Sequence, residues 1–127
     1  MPKSKTNNIE VEVASFFVPE KSNPSGQYYF FAYKVRITNV GMAPAKLLNR
    51  HWIITDGLGR MHEVKGEGVV GEQPYLSPGE SFEYTSFCPL NTPSGNMKGT
   101  YEFTLNSGEK FTAEIPMFIL VEPSSFN

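Results

Sequence analysis

The sequence predicts an all-β domain, an antiparallel sandwich of seven or eight strands. Two observations carry this. Apolar residues fall on every second position in at least five segments, the period of a half-buried strand. Gly and Pro make up 21 of the 127 residues and are spread along the chain. That exceeds the roughly 12% usual in soluble chains, so they punctuate short elements.

The elements follow in order. Ile9, Val11 and Val13 alternate with Glu10 and Glu12. Pro19–Gly26 reads as a polar loop. Tyr29, Phe31, Tyr33, Val35 and Ile37 then share one face, with Lys34 and Arg36 on the other. Ala45–Asp56 is ambiguous, because Leu48 and Trp52 could share a helical face. A strand is the reading taken, since Trp52, Ile53, Ile54 and Thr55 favour β structure. Asp56–Gly59 is a hairpin turn whose glycines supply positive φ. Phe82, Tyr84 and Ser86 form a further strand, as do Tyr101, Phe103 and Leu105. After the turn Asn106–Glu109, Phe111, Ala113, Ile115, Met117 and Ile119 make the last. Pro116 within it places that strand at a sheet edge or a bulge. The chain reads as one domain, 1–127, with an ordered core over about 9–123. The tails, Met1–Asn8 and Glu122–Asn127, are expected to be loose.

Composition limits function. A formal net charge of −2 and a pI near 5.7 lack the basic field of a general nucleic-acid binder. The single cysteine, Cys88, excludes an internal disulfide. The longest apolar run is the six residues Tyr28–Tyr33, whereas a membrane-spanning helix needs about 20. No signal-peptide pattern follows Met1. A soluble, cytoplasmic protein is expected.

Four features invite a chemical reading. Gly66-Glu67-Gly68-Val69-Val70-Gly71 matches GxGxxG, but Pro74 and Pro78 deny the helix that a dinucleotide site requires. A looser role survives, in which Gly66, Gly68 and Gly71 let backbone N–H groups cup a phosphate. The alternative is conformational, with Gly66–Gly71 an exposed, irregular strand end whose glycines serve turns and bulges. His51, His62 and Cys88, with Asp56 and Glu63, are too few for a structural zinc set, so no metal is expected. Cys88 reads as a buried, inert thiol rather than a nucleophile. Glu10/Glu12 and Glu80/Glu83 read as solvated positions. Phe16/Phe17 and Tyr28/Phe30 make strands apolar on both faces. Burial on both sides is the reading taken, and an exposed patch for a partner is the alternative.

Arg50–Asp56, Gly66–Pro74, Leu76, Pro78-Gly79-Glu80, Tyr84-Thr85-Ser86, Pro89-Leu90 and Thr92–Tyr101 occur in an order and spacing that resemble the ApaG domain. Tyr33–Asn39 and Ile115–Phe118 extend the likeness over about Ile9–Pro123. The resemblance implies a compact β-sandwich of fibronectin type III or immunoglobulin-like kind. It links bacterial members to cobalt resistance and magnesium efflux, under the name "Co2+/Mg2+ efflux protein". It also implies protein binding, by analogy with such domains in eukaryotic F-box and polymerase-interacting proteins. The family's glycine-rich loop, discussed as a nucleotide-phosphate site, maps onto Gly66, Gly68 and Gly71. No enzymatic activity and no cofactor are implied. A chain without a membrane span cannot itself carry ions, so an efflux role would be indirect. The function expected is a non-enzymatic module that binds a protein partner. The alternative is a nucleotide- or pyrophosphate-binding protein, conceivably a weak hydrolase.

Overall fold

A computed structural model describes residues 1–126. In chain order the strands are β1 (Lys3–Thr6), β2 (Ile9–Phe17), β3 (Tyr29–Asn39), β4 (Ala45–Asp56) and β5 (Met61–Glu67). They continue with β6 (Tyr75–Leu76), β7 (Ser81–Leu90), β8 (Ser94–Leu105) and β9 (Lys110–Val121). The helical segments among the described residues are three short 3-10 turns, Pro19–Lys21, Pro24–Gly26 and Pro123–Phe126. The expected seven or eight strands are present. Two short ones, β1 and β6, are additional.

Two antiparallel sheets form, with orders β1-β2-β3-β7 and β5-β4-β8-β9, and β6 pairs with β4 beyond the end of β5. Their facing sides interdigitate. Val11, Val13, Phe31, Val35 and Ile37 come from one sheet. Leu47, Trp52, Tyr101, Phe103, Phe118 and Leu120 come from the other, all buried. The Tyr33 ring bridges the layers, 5.3 Å from Trp52 and 5.6 Å from Phe118 between centroids. Large apolar side chains contribute about 1.5–3 kcal/mol each on full burial, so this shared core of aliphatic and aromatic residues holds the two sheets together.

Two sequence expectations are corrected. Met1–Asn8 is not loose: Lys3–Thr6 pairs with Ile9–Glu12 as β1. Its side chains also reach the other sheet, where the Ser4 hydroxyl donates to Glu114 O and Asn7 Nδ2 donates to Thr112 O. At the other end, Pro123–Phe126 is a 3-10 turn in which Ser124 and Ser125 donate to Glu122. Asn127 lies outside the described residues. Finally, Phe16, Tyr28 and Phe30 are not buried on the second face of their strands, as detailed below.

Pro116 behaves as read. It lies on edge strand β9, in a bulge where Pro116 and Met117 oppose the single residue Lys98. A second bulge explains the ambiguity of β4. Leu48 is unpaired against β8 between Leu47/Phe103 and Asn49/Glu102. The extra residue switches which parity faces inward, so Leu47 and Trp52 are both buried although five positions apart.

Candidate functional site

The bulge in β4 turns Arg50, with Trp52 and Ile54, toward the space between the sheets. Directly opposite Arg50 in the β4–β5 pairing stands Gly66. A Cβ at Gly66 would lie 2.8–2.9 Å from the Arg50 guanidinium atoms. Glycine is therefore what lets the guanidinium lie across β5. Arg50 Nη1 donates to the carbonyls of Glu67 (2.8 Å) and Gly68 (3.0 Å).

The rest of the glycine-rich loop is folded on itself. Gly68 has φ +62° and donates its N–H to Leu48 O, and a Cβ there would fall 2.2 Å from Glu72 O. Val69 and Glu72 exchange both backbone hydrogen bonds. Between them Val70 (φ 44°) and Gly71 (φ 83°) take the left-handed conformations of a type I′ turn. The turn drives Val69 into the core.

Of the sequence candidates, Gly66 is part of β5 and half-buried, Gly68 is buried and Gly71 is exposed. Of the stretch Gly66–Gly71, expected to be an exposed, irregular strand end, Glu67, Val70 and Gly71 are exposed, whereas Gly68 and Val69 are buried. Glu67 and Glu72 flank the loop, and the N–H groups of Gly68, Val69 and Glu72 are already donated within the chain. A phosphate held only by loop backbone would lack those donors.

Beside the loop the sandwich is open. A cleft of about 260 Å³ lies between β5 and β7, lined by Tyr33, Arg50, Trp52, Ile54, Val64 and Tyr84 among others. Its polar groups are the Arg50 guanidinium and the hydroxyls of Tyr33, Tyr84 and Ser86. Tyr84 and Tyr101 share a short hydrogen bond. Burial pushes the Tyr84 hydroxyl far above the ordinary tyrosine range, against the opposing pull of Tyr101. Burial also raises Tyr101, and the adjoining Tyr84 adds to the effect. Tyr33 rises for the same first reason, moderated by Ser86 and by Arg50. All three stay neutral at physiological pH and can donate.

The remaining candidates lie apart from this cleft. His51 Nε2 sits 2.7 Å from Glu63 Oε2 on the outer face of the second sheet. His62 is exposed on β5. Cys88 is buried, and that burial lifts its thiol to about 11, the state of an inert thiol. Asp56 closes the hairpin turn, accepting from the N–H groups of Leu58 and Arg60 and from Arg60 Nε. Among the described residues no three His, Cys, Asp or Glu side chains gather as a metal site. No described helix is long and apolar enough to cross a membrane. Sequence reading missed Arg50, whose one visible signal is a charge two positions before inward-facing Trp52.

The aromatic residues define a second surface. On the outer face of the first sheet Phe16, Ala32 and Phe87 stand side by side across β2, β3 and β7. Phe16 and Phe87 are 50% and 54% exposed, and Tyr28 is 40% exposed. Phe30 lies 5.4 Å from Phe87 and 6.4 Å from Tyr28 between ring centroids. Lys21 Nζ stands 5.7 Å from the Phe30 ring centre. The second face of these strands is thus a surface, which corrects the reading of burial on both sides. Among the described residues no further layer packs on that face of the sheet.

Two antiparallel sheets with a shared core, and no long helix among the described residues, define the class, a small β-sandwich domain. Within that class the chain belongs to the ApaG domain family, whose model matches residues 19–105. It is 53% identical to Protein ApaG of Anaeromyxobacter dehalogenans over 127 residues, covering all of both chains. It is 49% identical to Protein ApaG of Bdellovibrio bacteriovorus over 123 residues, 97% of each. The crystal structure of an ApaA protein from Bordetella pertussis superposes with a TM-score of 0.89 at 53% identity, covering 96% of each chain.

Proposed function

We propose that this chain is a non-enzymatic binding domain whose partner is another protein, docked on the aromatic corner of the first sheet. The observation that supports the reading is the cluster of Phe16, Tyr28, Phe30 and Phe87, of which Phe16 and Phe87 are at least half exposed. Contiguous apolar surface of this kind marks interaction sites, and aromatic side chains are the usual anchors of protein interfaces. The link to cobalt resistance and magnesium efflux that the family resemblance implies belongs, in this reading, to the partner. The domain would act on it indirectly, from the cytoplasm.

Phe30→Ser/Phe87→Ser tests this, because these outer-face residues contribute little to the core. Wild type and variant are crosslinked in the native cell, and the same cells are scored for cobalt tolerance. The expected result is one protein crosslinked by the wild type, lost about tenfold or more in the variant, with tolerance falling in parallel. A tenfold loss corresponds to about 1.4 kcal/mol of binding, a modest cost for removing two aromatic anchors. An unchanged crosslinking pattern in a folded variant would refute the aromatic corner as the docking surface.

A further inference from the structure

We propose that the open cleft between β5 and β7 is a binding site for an apolar monocarboxylate, with the Arg50 guanidinium as its anion receptor. This goes beyond the protein-docking reading: the cleft adjoins that surface, sharing Phe87 with it, but its polar centre is Arg50.

The charge balance is the first ground. Arg50 is half-buried, and among the described residues no carboxylate lies within ion-pair distance of it. Its Nη1 is fixed by two loop carbonyls. Nε and Nη2 have no hydrogen-bond acceptor among the described residues, and neither is sealed from solvent without a partner. Two guanidinium nitrogens on one edge are the fork that binds a carboxylate side-on. A half-buried cation without a counter-charge is unfavourable, and an incoming anion relieves that.

The second ground is preorganisation. Gly66 leaves the space in which the guanidinium lies, and the Glu67 and Gly68 carbonyls hold it in place. Tyr33 and Tyr84 add neutral hydroxyls nearby. Trp52, Ile54 and Val64 supply an apolar wall, the usual division of labour in a small-molecule site.

The third ground selects the ligand. Arg50 is the sole cationic residue lining the cleft, while Glu67 and Glu72 stand by the loop. One positive charge suits a single negative one, and a pyrophosphate would meet too few cations. The same chemistry is offered by a free short-chain acid and by the C-terminal carboxylate of a peptide.

Trp52 is the chain's single tryptophan and lines the cleft, so its fluorescence reports occupancy. The full chain is titrated with hexanoate, hexanamide, inorganic phosphate, pyrophosphate and ATP. A Leu-terminated tetrapeptide is added with its C-terminus free or amidated. A saturable Trp52 response to hexanoate or to the free-acid peptide is expected, with a Kd of about 1 mM or tighter. Whichever of the two binds more tightly names the source. Hexanamide and the amidated peptide should bind at least about tenfold more weakly, and Arg50→Gln should weaken the acid by a similar factor. Should Arg50→Gln fail to fold, Arg50→Lys retains the charge and loses the fork, and it too should weaken binding. No saturable response to either acid would overturn the proposal. So would equal binding of acid and amide, tighter binding of pyrophosphate or ATP, or an unchanged Kd in a folded Arg50 variant.

Discussion

At the scale of single residues, the three glycines of the GxGxxG pattern do three different jobs. Gly66 clears space for a flexible side chain, Gly68 combines a positive φ with close backbone, and Gly71 has only the positive φ. Their alanine variants should therefore be graded. Gly68→Ala must strain φ and displace Glu72 O, a cost of about 2–4 kcal/mol. Gly71→Ala meets nothing within 4 Å and should cost about 1 kcal/mol. Gly66→Ala moves a guanidinium that can yield and should cost least. Val70 tests the same argument in the opposite direction. It is β-branched, 56% exposed and held at φ 44°, so Val70→Asn should raise stability by about 1 kcal/mol. Thermal melts of the four proteins check the order, at about 4 °C per kcal/mol for a domain of this size. Equal melting temperatures for Gly68→Ala and Gly71→Ala would show that contact with Glu72 O is not what fixes Gly68.

At the scale of the element, β1 protects an edge. β9 ends its sheet, and its outward carbonyls at Thr112, Glu114 and Ile119 accept from Asn7, Ser4 and Ser15 of the opposing sheet. Thr6 Oγ1 accepts from Glu114 N in return. Unpaired edges are templates for association, so side chains close here what backbone leaves open. Removing residues 1–8 should lower stability by a few kcal/mol, at about 1 kcal/mol per hydrogen bond lost. It should also produce concentration-dependent self-association in sedimentation velocity. A monomer with unchanged melting would show that β1 is dispensable. This element was illegible in the sequence because Lys-Ser-Lys-Thr carries no apolar alternation; polar side chains hold it. β5 was legible only through the hairpin turn before it, since Met61–Lys65 is exposed throughout and carries no apolar alternation. β2, β3, β7, β8 and β9 were readable because each has one face in the core. β4 blurred where Leu48 shifts the register. The role of Gly66 was hidden for a related reason, because it depends on the pairing with Arg50, and local pattern does not set that register.

At the scale of the whole molecule, the aromatic core ties the fold to the protonation of its tyrosines. Tyr33, Tyr84 and Tyr101 all have hydroxyls raised above the ordinary value of 10.0, first through burial. A group whose folded pKa exceeds its unfolded one binds its proton more tightly when folded. Its contribution is complete below the unfolded pKa and is lost as pH rises toward and through the folded value. Stability should therefore hold to about pH 10 and then fall, each such tyrosine adding a slope of up to about 1.4 kcal/mol per pH unit. Three acting together would exhaust a typical stability of about 5–15 kcal/mol within a few pH units. Unfolding in base should accordingly be cooperative, with tyrosinate absorbance from the three buried residues appearing together with the loss of near-UV dichroism. The double variant Tyr84→Phe/Tyr101→Phe removes both members of a buried hydrogen-bonded pair while keeping their shape, which is close to neutral in stability at pH 7. It also removes two of the three titrating protons, so its stability should decline more gently above pH of about 10 and its unfolding midpoint in base should move upward. If the double variant loses stability with pH as steeply as the wild type, the coupling lies in net charge repulsion rather than in these buried hydroxyls. The single variant Tyr84→Phe separates the two accounts further. It leaves the Tyr101 hydroxyl buried without its partner, so it should be destabilised at pH 7 by about 1–3 kcal/mol, and the added Tyr101→Phe change should recover most of that loss.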